Sequence, residues 1–467
     1  MAQDIFAKDI KSAYDLFHEG ILALALAERQ GMRVDVTYIN RQSERITRQI
    51  VGLETQFYFS KFFSDWKKSR KGKATKININ SSSQLGEYLY GTLELKPTKL
   101  TATGKGSTDV EAITQLNIPE LNKLLEAKKL KKLRDTYLAG FLREAVDGFI
   151  HPFFNLHLVR TFRGSSNSPN FQNVPKRDKV AMQTVRQALY PRLGNQLLEL
   201  DYSMLEVRIA ACYHEDPNML EFIRTGHDFN LDFTKEIFQI DAYDPKVHKV
   251  LRAATKNGFV FPEFYGDYYK NCATYMVSNW CNLPSVGIWK VGQGIEVGTE
   301  HVSDILLRGG IISANEFERH LKEIEDDMWG NRFKVYAQWK ERWWKQYQKQ
   351  GYFLSKTGFL FKGVMTRNDA INYPVQGAAF HILLLALIHA TKALEREGMK
   401  TRIVGQIHDA IVFDVYPPEL KKVVRIMKCI MENDVRQIWK WINVPLKVDA
   451  ELCPVDGSWA EKQDYKI

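Results

Sequence analysis

Apolar positions along this 467-residue chain switch between two periods. From Asp35 to Phe63 they recur with helical spacing, and Ile46, Ile50, Leu53 and Phe57 fall on one stripe. The basic run Lys67 to Lys73 breaks that spacing and predicts a loop. Asn80 to Asp109 reads as short turns, with a Thr/Gly/Lys tip at Thr101 to Thr108. Ile118 to Val146 is a second long helical stretch. Phe153 to Tyr213 reads as strands and turns, and Asp216 to Gly351 as mostly helix. Tyr352 to Val415 returns to strands around one helix, Ala378 to Glu397. Sheet segments therefore flank a helical insertion, so one mixed sheet is assembled from distant parts of the chain. That is α+β organisation. No internal repeat or low-complexity tail interrupts it.

Bulk properties narrow the function little but in one direction. A chain of this length buries large cores and divides into subdomains. Its hydrophobic content of 45% and charged content of 26% are those of an ordinary globular protein. A formal charge of +10 suits a polyanionic partner, and 12% aromatic residues supply stacking platforms as well as core. Cys212, Cys272, Cys281, Cys429 and Cys453 are scattered and lack zinc-ligand spacing, which predicts reduced thiols in a reducing compartment. The acidic N-terminal residues lack an apolar core, so they predict neither a secretory signal nor a transit peptide. The longest apolar run, near His381 to Leu387, is too short to span a bilayer, and no membrane partner is expected.

Two carboxylates stand out. Asp201 follows the strand-like Gln196 to Leu200, and Asp409 lies between Arg402 to Ile407 and Ile411 to Val415. Taken singly, an Asp after a strand is a turn residue or a helix cap. Two strand-end carboxylates that meet in space can instead hold a pair of divalent ions, which clamp the attacking and leaving oxygens of a phosphoryl transfer. Their flanks decide between these readings. Asp201-Tyr-Ser-Met-Leu-Glu-Val-Arg208, Gln406-Ile-His-Asp-Ala410, Thr161-Phe-Arg-Gly-Ser-Ser166, Pro169-Asn-Phe-Gln-Asn-Val-Pro175 and Asn372-Tyr-Pro-Val-Gln-Gly377 resemble motifs of the family A DNA polymerases, in the family's order.

The resemblance implies a right-hand polymerase fold with an antiparallel palm sheet, helical fingers and a helical thumb. On this reading residues 1–34 are a palm-associated segment and 35–147 the thumb. Residues 148–215 belong to the palm, 216–351 are the fingers, and 352–467 return to the palm. The implied activity is template-directed extension of a primer 3′ end with dNTPs. Asp201, Asp409 and the Tyr202 backbone carbonyl would hold two Mg²⁺ ions, with Mn²⁺ as a substitute. Glu206 would be the steric gate against a ribose 2′-hydroxyl, although an acid in a first helical turn is also favoured by the macrodipole. Arg252 and Lys256, four apart on one helical face, would contact the triphosphate, with Lys256 as proton donor. Arg163, Asn170, Gln172, Asn372, Gln376 and His408 would line the primer and template near the growing end. Lys128, Lys129, Lys131 and Lys132 would grip the duplex from the thumb.

Two departures from the family pattern matter. Tyr265-Gly266 follows Lys256 by nine residues rather than eight, so the aromatic that stacks on the incoming base is Phe261 by one count and position 260, a Val, by the other. Only an aromatic has a π-face, which selects Phe261 and predicts a bulge or break between Asn257 and Phe264 with Val260 turned away. Ala410 replaces the family's Glu, and Asp414, on the same strand face, lies too far along to replace it. Helical sequence from near Asp35 leaves no room for an exonuclease domain, so proofreading is expected in another chain. Expected partners are primer-template DNA, dNTPs, and a separate exonuclease, helicase-primase or processivity subunit, in a bacterial or phage-infected host cytoplasm. Competing readings are a single-subunit RNA polymerase and a polymerase-fold DNA-binding subunit that has lost catalysis.

Overall fold

The computed structural model describes residues 2–70, 76–97, 99–101, 103–176 and 178–466. Fourteen elements position the site. In chain order they are α1 (Ala2–Gln30), α2 (Val36–Tyr58), α3 (Lys61–Ser69), α4 (Pro119–Lys132), α5 (Lys179–Arg186), β1 (Gln196–Tyr202), α6 (Leu205–His214), α7 (Lys249–Thr255), α8 (Lys334–Gln350), α9 (Arg367–Arg396), β2 (Arg402–Ile407), β3 (Ala410–Val415), β4 (Val448–Leu452) and β5 (Gln463–Asp464).

The central sheet has the order β2-β3-β1-β4-β5 and is antiparallel at every pairing, not mixed. Register explains its two faces. Leu198 pairs with Phe413, and Leu200 with Ile411 and Ala450, and these side chains are buried. The alternate face carries Glu199 opposite Val412 and Glu451, then Asp201 opposite Ala410 and Asp449. One face is therefore core and the other is polar at its end. Helices α1 and α9 pack together, and α1 also packs on β2.

Helix α9 corrects two expectations. It starts at Arg367, not Ala378, and runs through Pro374. A proline in a helix frees the carbonyl four residues back. Here that carbonyl, on Ala370, accepts a hydrogen bond from the Trp343 indole N–H of α8 at 2.9 Å. The neighbouring helix thus satisfies what the proline leaves open. At 30 residues α9 is also long and apolar enough to cross a membrane, contrary to the shorter apolar run read from sequence. Its apolar window is 83% buried inside the protein, which makes it a core helix.

The described residues of 36–144 form a helical lobe, where Phe57, Trp66, Leu85, Tyr88, Leu89, Leu121 and Leu124 make a core of their own. Trp66 stacks on Tyr88 with ring centroids 5.5 Å apart. The basic run expected as a loop is partly helical. Lys67, Lys68 and Ser69 end α3, where cations favour the helix C-terminus, and 71–75 lie outside the described residues. The 80–109 region contains a helix, Ser82–Gly86, and a wide turn, Glu87–Thr92, as well as turns. The 153–213 region adds the helices α5 and α6 to its strands and turns. A second helical lobe spans 217–350 and holds one small hairpin, Glu296–Val297 with Glu300–His301. The five cysteines are free thiols, with Cys429 exposed and the others buried.

Candidate active site

Asp201 lies near the end of β1, directly across from Ala410 at the start of β3. The chain reaches Ala410 through a two-residue turn, His408-Asp409, in which His408 holds φ at 51°. That turn brings Asp409 to Asp201. The Tyr202 N–H donates to the Asp409 carbonyl at 3.1 Å, so the Tyr202 peptide faces the Asp409 turn. The Tyr202 side chain points the other way, its hydroxyl donating to the Met431 carbonyl at 2.7 Å.

The electrostatics suit an incoming cation. Asp409 is pushed up to about 7, first by desolvation and then by the Glu206 and Asp201 carboxylates, against Arg163 and Lys176. Lys176 donates to Asp201 at 2.8 Å. Among the described residues no group of three or more His, Cys, Asp or Glu is arranged to hold a metal. A divalent ion here would take two carboxylates and complete its shell from backbone, water and substrate oxygens, as Mg²⁺ does. Asp414 takes no part. It is buried and accepts from the Arg192 N–H and guanidinium and from Asn195.

A cleft of about 880 Å³ opens beside Asp409 and beside Lys176, the partner of Asp201. Its walls include Asp409, His408, Glu206, Arg163, Lys176, Lys256, Phe261 and Tyr265. Glu206, in the first turn of α6, is fixed from two sides. Arg163 donates to one oxygen at 2.8 Å and the Tyr265 hydroxyl donates to the other. Burial holds its carboxyl above the usual range against the pull of Arg163.

The extra residue after Lys256 is absorbed by a wide turn, Lys256–Val260, in which the Phe261 N–H reaches back to the Lys256 carbonyl. Pro262 then falls in the first turn of the short helix Phe261–Phe264, where a missing N–H costs nothing. Val260 is buried, and the Phe261 ring lines the cleft with the Lys256 ammonium 5.1 Å from its centroid. The turn is backed by a second wide turn, Met276–Trp280. A Cβ on Gly258 would lie 2.5 Å from Met276 Cγ. Arg252 is not brought to the cleft. Its guanidinium is paired with Asp228, the N-cap of helix Phe229–Phe238.

The other expected residues divide. The Gln172 amide donates to the Gln406 carbonyl at 3.1 Å and accepts from the His408 N–H at 2.7 Å, tying two motifs together beside the cleft. Asn170 serves as a cap, its side chain accepting from the Asn173 N–H. Asn372 donates to the Tyr265 carbonyl at 2.7 Å, and Gln376 is half-buried a turn further along α9. Of the four α4 lysines expected to grip the duplex, Lys129 and Lys132 line the cleft, Lys129 in an ion pair with Asp178. Lys131 instead pairs with Glu54, and Lys128 is half-buried, its ammonium lowered by desolvation and by Lys131. Sequence reading missed Lys176, although it directly follows the Pro175 of a recognised motif. It also missed Asp228, whose only signal is its position before an apolar helix.

Comparison with known proteins follows this geometry. DNA polymerase I of Geobacillus stearothermophilus is 27% identical over 447 residues, which cover 92% of this chain and 44% of that protein. DNA polymerase I of Aquifex aeolicus is 28% identical, covering 92% of this chain and 64% of that protein. The chain thus spans less than half the length of the first of these relatives. The POL domain of Pol1 from M. smegmatis, solved in complex with DNA primer-template and dNTP, superposes with a TM-score of 0.72 at 25% identity, over 95% of this chain and 70% of that one. The α+β architecture is therefore the right-hand polymerase fold. The family model for DNA polymerase family A matches residues 38–276 and 333–461, and the chain belongs to that family.

Proposed function

We propose that this chain is a template-directed DNA polymerase that extends a primer 3′ end with dNTPs and releases pyrophosphate. The observation that carries the reading is the meeting of Asp201 and Asp409 at adjoining strand ends beside a cleft walled by Lys256, Phe261, Tyr265 and two α4 lysines. In this reading 35–147 are the thumb, 216–351 the fingers, and 148–215 with 352–467 the palm, on which 1–34 pack. Primer-template and dNTP, the ligands named for the M. smegmatis domain, are the partners proposed here.

Asp201, Asp409 and the Tyr202 carbonyl would hold two Mg²⁺ ions, or Mn²⁺ in their place. When bound, the ions lower the pKa of the attacking 3′-hydroxyl and stabilise charge on the leaving pyrophosphate. The residues do the rest. Phe261 stacks on the incoming base, and Lys256 balances triphosphate charge and supplies a proton to the leaving group. Glu206, clamped by Arg163 and Tyr265, occupies the space a ribose 2′-hydroxyl would need. Arg252 reaches the phosphates only by leaving Asp228. Gln172, His408, Asn372 and Gln376 face the terminal base pair. The proposed setting is a bacterial or phage-infected cytoplasm.

The test is Mg²⁺-dependent extension of a primed template, with Asp201→Ala and Asp409→Ala beside the wild type. Both variants should lose nucleotide addition and keep duplex binding, because affinity comes from many cations and not from these two carboxylates. Near-normal extension by either variant overturns the reading. Ala410, which leaves Asp201 without a carboxylate on its β3 neighbour although Asp449 stands opposite it on β4, favours one alternative, a DNA-binding subunit without catalysis. Absence of extension by the wild type would select it.

A further inference from the structure

We propose that Lys176 is an exchangeable cation of the polymerase site. It holds Asp201 while divalent ions are absent and moves to the phosphates of the incoming nucleotide when ions take its place. The proposal rests on the polymerase reading for its second half only.

Four observations carry it. The Lys176 ammonium lies 2.8 Å from Asp201 Oδ2, on a carboxylate that an ion would have to ligate. Mg²⁺ binds oxygen at about 2.1 Å, so an ion on that oxygen and an ammonium in hydrogen-bond contact with it exclude one another by space and by charge. The pair is also breakable. The two side chains are 46% and 27% exposed, the regime in which ion pairs contribute little.

Next, the backbone is anchored while the side chain is not. The Pro175 carbonyl accepts from the Arg186 Nε–H at 3.0 Å, and Arg186 is buried with its guanidinium 4.1 Å above the Trp459 ring. Lys176 therefore swings from a fixed base on a flexible four-carbon stem. Third, its neighbouring acids are otherwise engaged: Glu206 is held by Arg163 and Tyr265, Asp178 is paired with Lys129, and Asp409 would share the incoming ion. Glu199 and Glu451 face it, but Lys462 binds both carboxylates, and Arg186 and the Trp459 indole also donate to Glu199. Finally, Lys176 lines the same cleft as Lys256 and Phe261, so an ammonium leaving Asp201 has the nucleotide's phosphates as its remaining strong anion.

Lys176→Met keeps length and removes charge, and Lys176→Arg keeps charge. Mn²⁺ binding to the free enzyme, without DNA or nucleotide, is followed by electron paramagnetic resonance. Asp201→Asn, by weakening that binding, identifies the site. Lys176→Met should bind Mn²⁺ about threefold to tenfold more tightly, and Lys176→Arg close to wild type, while thermal unfolding shows that both are folded. Unchanged or weaker Mn²⁺ binding by Lys176→Met overturns the exchange. The second arm is steady-state extension, where Lys176→Met should raise the dNTP KM about threefold to tenfold with a smaller change in kcat. Tighter Mn²⁺ binding with an unchanged KM overturns the move to the phosphates. Failure of the polymerase reading is separate, since it appears as absent extension by the wild type whatever the Mn²⁺ result.

Discussion

Gly258 is the position where the fold of the segment proposed to bind the nucleotide can be tested most directly. It lies inside the wide turn Lys256–Val260, with its Cα facing the second wide turn, Met276–Trp280. A Cβ there would sit 2.5 Å from Met276 Cγ and 3.3 Å from Trp280 Cδ1. Met276 is fully buried, and the clash falls on the middle of its side chain, not on its mobile end. Overpacking costs about 1–3 kcal/mol, a contact this close on a mid-chain atom falls in the upper part of that range, about 1.5–3 kcal/mol, and the better helix propensity of Ala returns about 1 kcal/mol. Gly258→Ala should therefore disturb the turn by about 0.5–2 kcal/mol net. Lys256 and Phe261 sit at the two ends of this turn, so the disturbance should appear in the dNTP KM, as an increase of about twofold to thirtyfold. Met276→Ala alone removes buried volume and is itself destabilising by about 2–5 kcal/mol. In the double variant the new methyl occupies space that Met276 gives up. The combined effect on KM should then fall short of the sum by at least about 1 kcal/mol, since residues in contact are coupled. Single-nucleotide incorporation on one primed template measures all four enzymes. An unchanged KM in Gly258→Ala, or strict additivity in the double variant, would refute the interlocked-turn account.

The remaining expectations are simpler. Glu206→Ala should admit ribonucleotides more readily, and an unmoved ratio of dNTP to NTP incorporation would leave Glu206 as a first-turn acid. Neutralising Lys129 and Lys132 should flatten the dependence of log affinity on log salt by about one unit per lost phosphate contact, whereas Lys131→Ala, which loses its Glu54 partner, should leave the slope alone. Trp343→Phe strands the Ala370 carbonyl freed by Pro374 and should destabilise α9 by about 1–3 kcal/mol, read from the unfolding midpoint. Glu263 is buried and pushed up to about 8, chiefly by desolvation, so its contribution to stability is complete below pH 4.5 and is lost as pH rises through about 8. Glu263→Gln lacks that loss, and its melting temperature relative to wild type should climb between pH 5 and 8.5, where a constant difference would contradict the assignment.

Local pattern and tertiary partner separate what the sequence revealed from what it hid. The strands around Asp201 and Asp409 were legible because their apolar runs are long and end at the carboxylates. The location of the irregularity after Lys256 was legible too, because only Phe261 among the two candidates has a ring and Pro262 limits the local hydrogen bonding. The start of α9 was not, since a proline reads as a boundary until an indole 27 residues away supplies the missing donor. Spacing placed Arg252 and Lys256 on one face but carried no sign of Asp228, which comes from a different helix and holds Arg252 aside. Likewise, four clustered lysines look equivalent in a string. Their roles divide only once α2 brings Glu54 to Lys131 and the cleft opens beside Lys129 and Lys132.

The contacts at Tyr265 and Gly266 have a mechanical consequence. Asn372 donates to the Tyr265 carbonyl at 2.7 Å and Asn368 to the Gly266 carbonyl at 3.2 Å, so the segment that begins at Lys249 is pinned to α9 at its far end. Its outer end is held by the Arg252–Asp228 pair and by packing of α7 on helix Phe229–Phe238, and if those contacts release, the segment swings as a lever about the pin. At about 1.5 Å per residue, Phe261 stands about 6 Å from the pin, Lys256 about 14 Å and Arg252 about 20 Å. A tilt of about 20° then moves these residues by about 2, 5 and 7 Å. In the proposed polymerase the ring that would meet the base barely travels, while the outer cation sweeps far enough to part from Asp228. On that proposal base fit is sensed near the fulcrum, and charge is delivered from the tip.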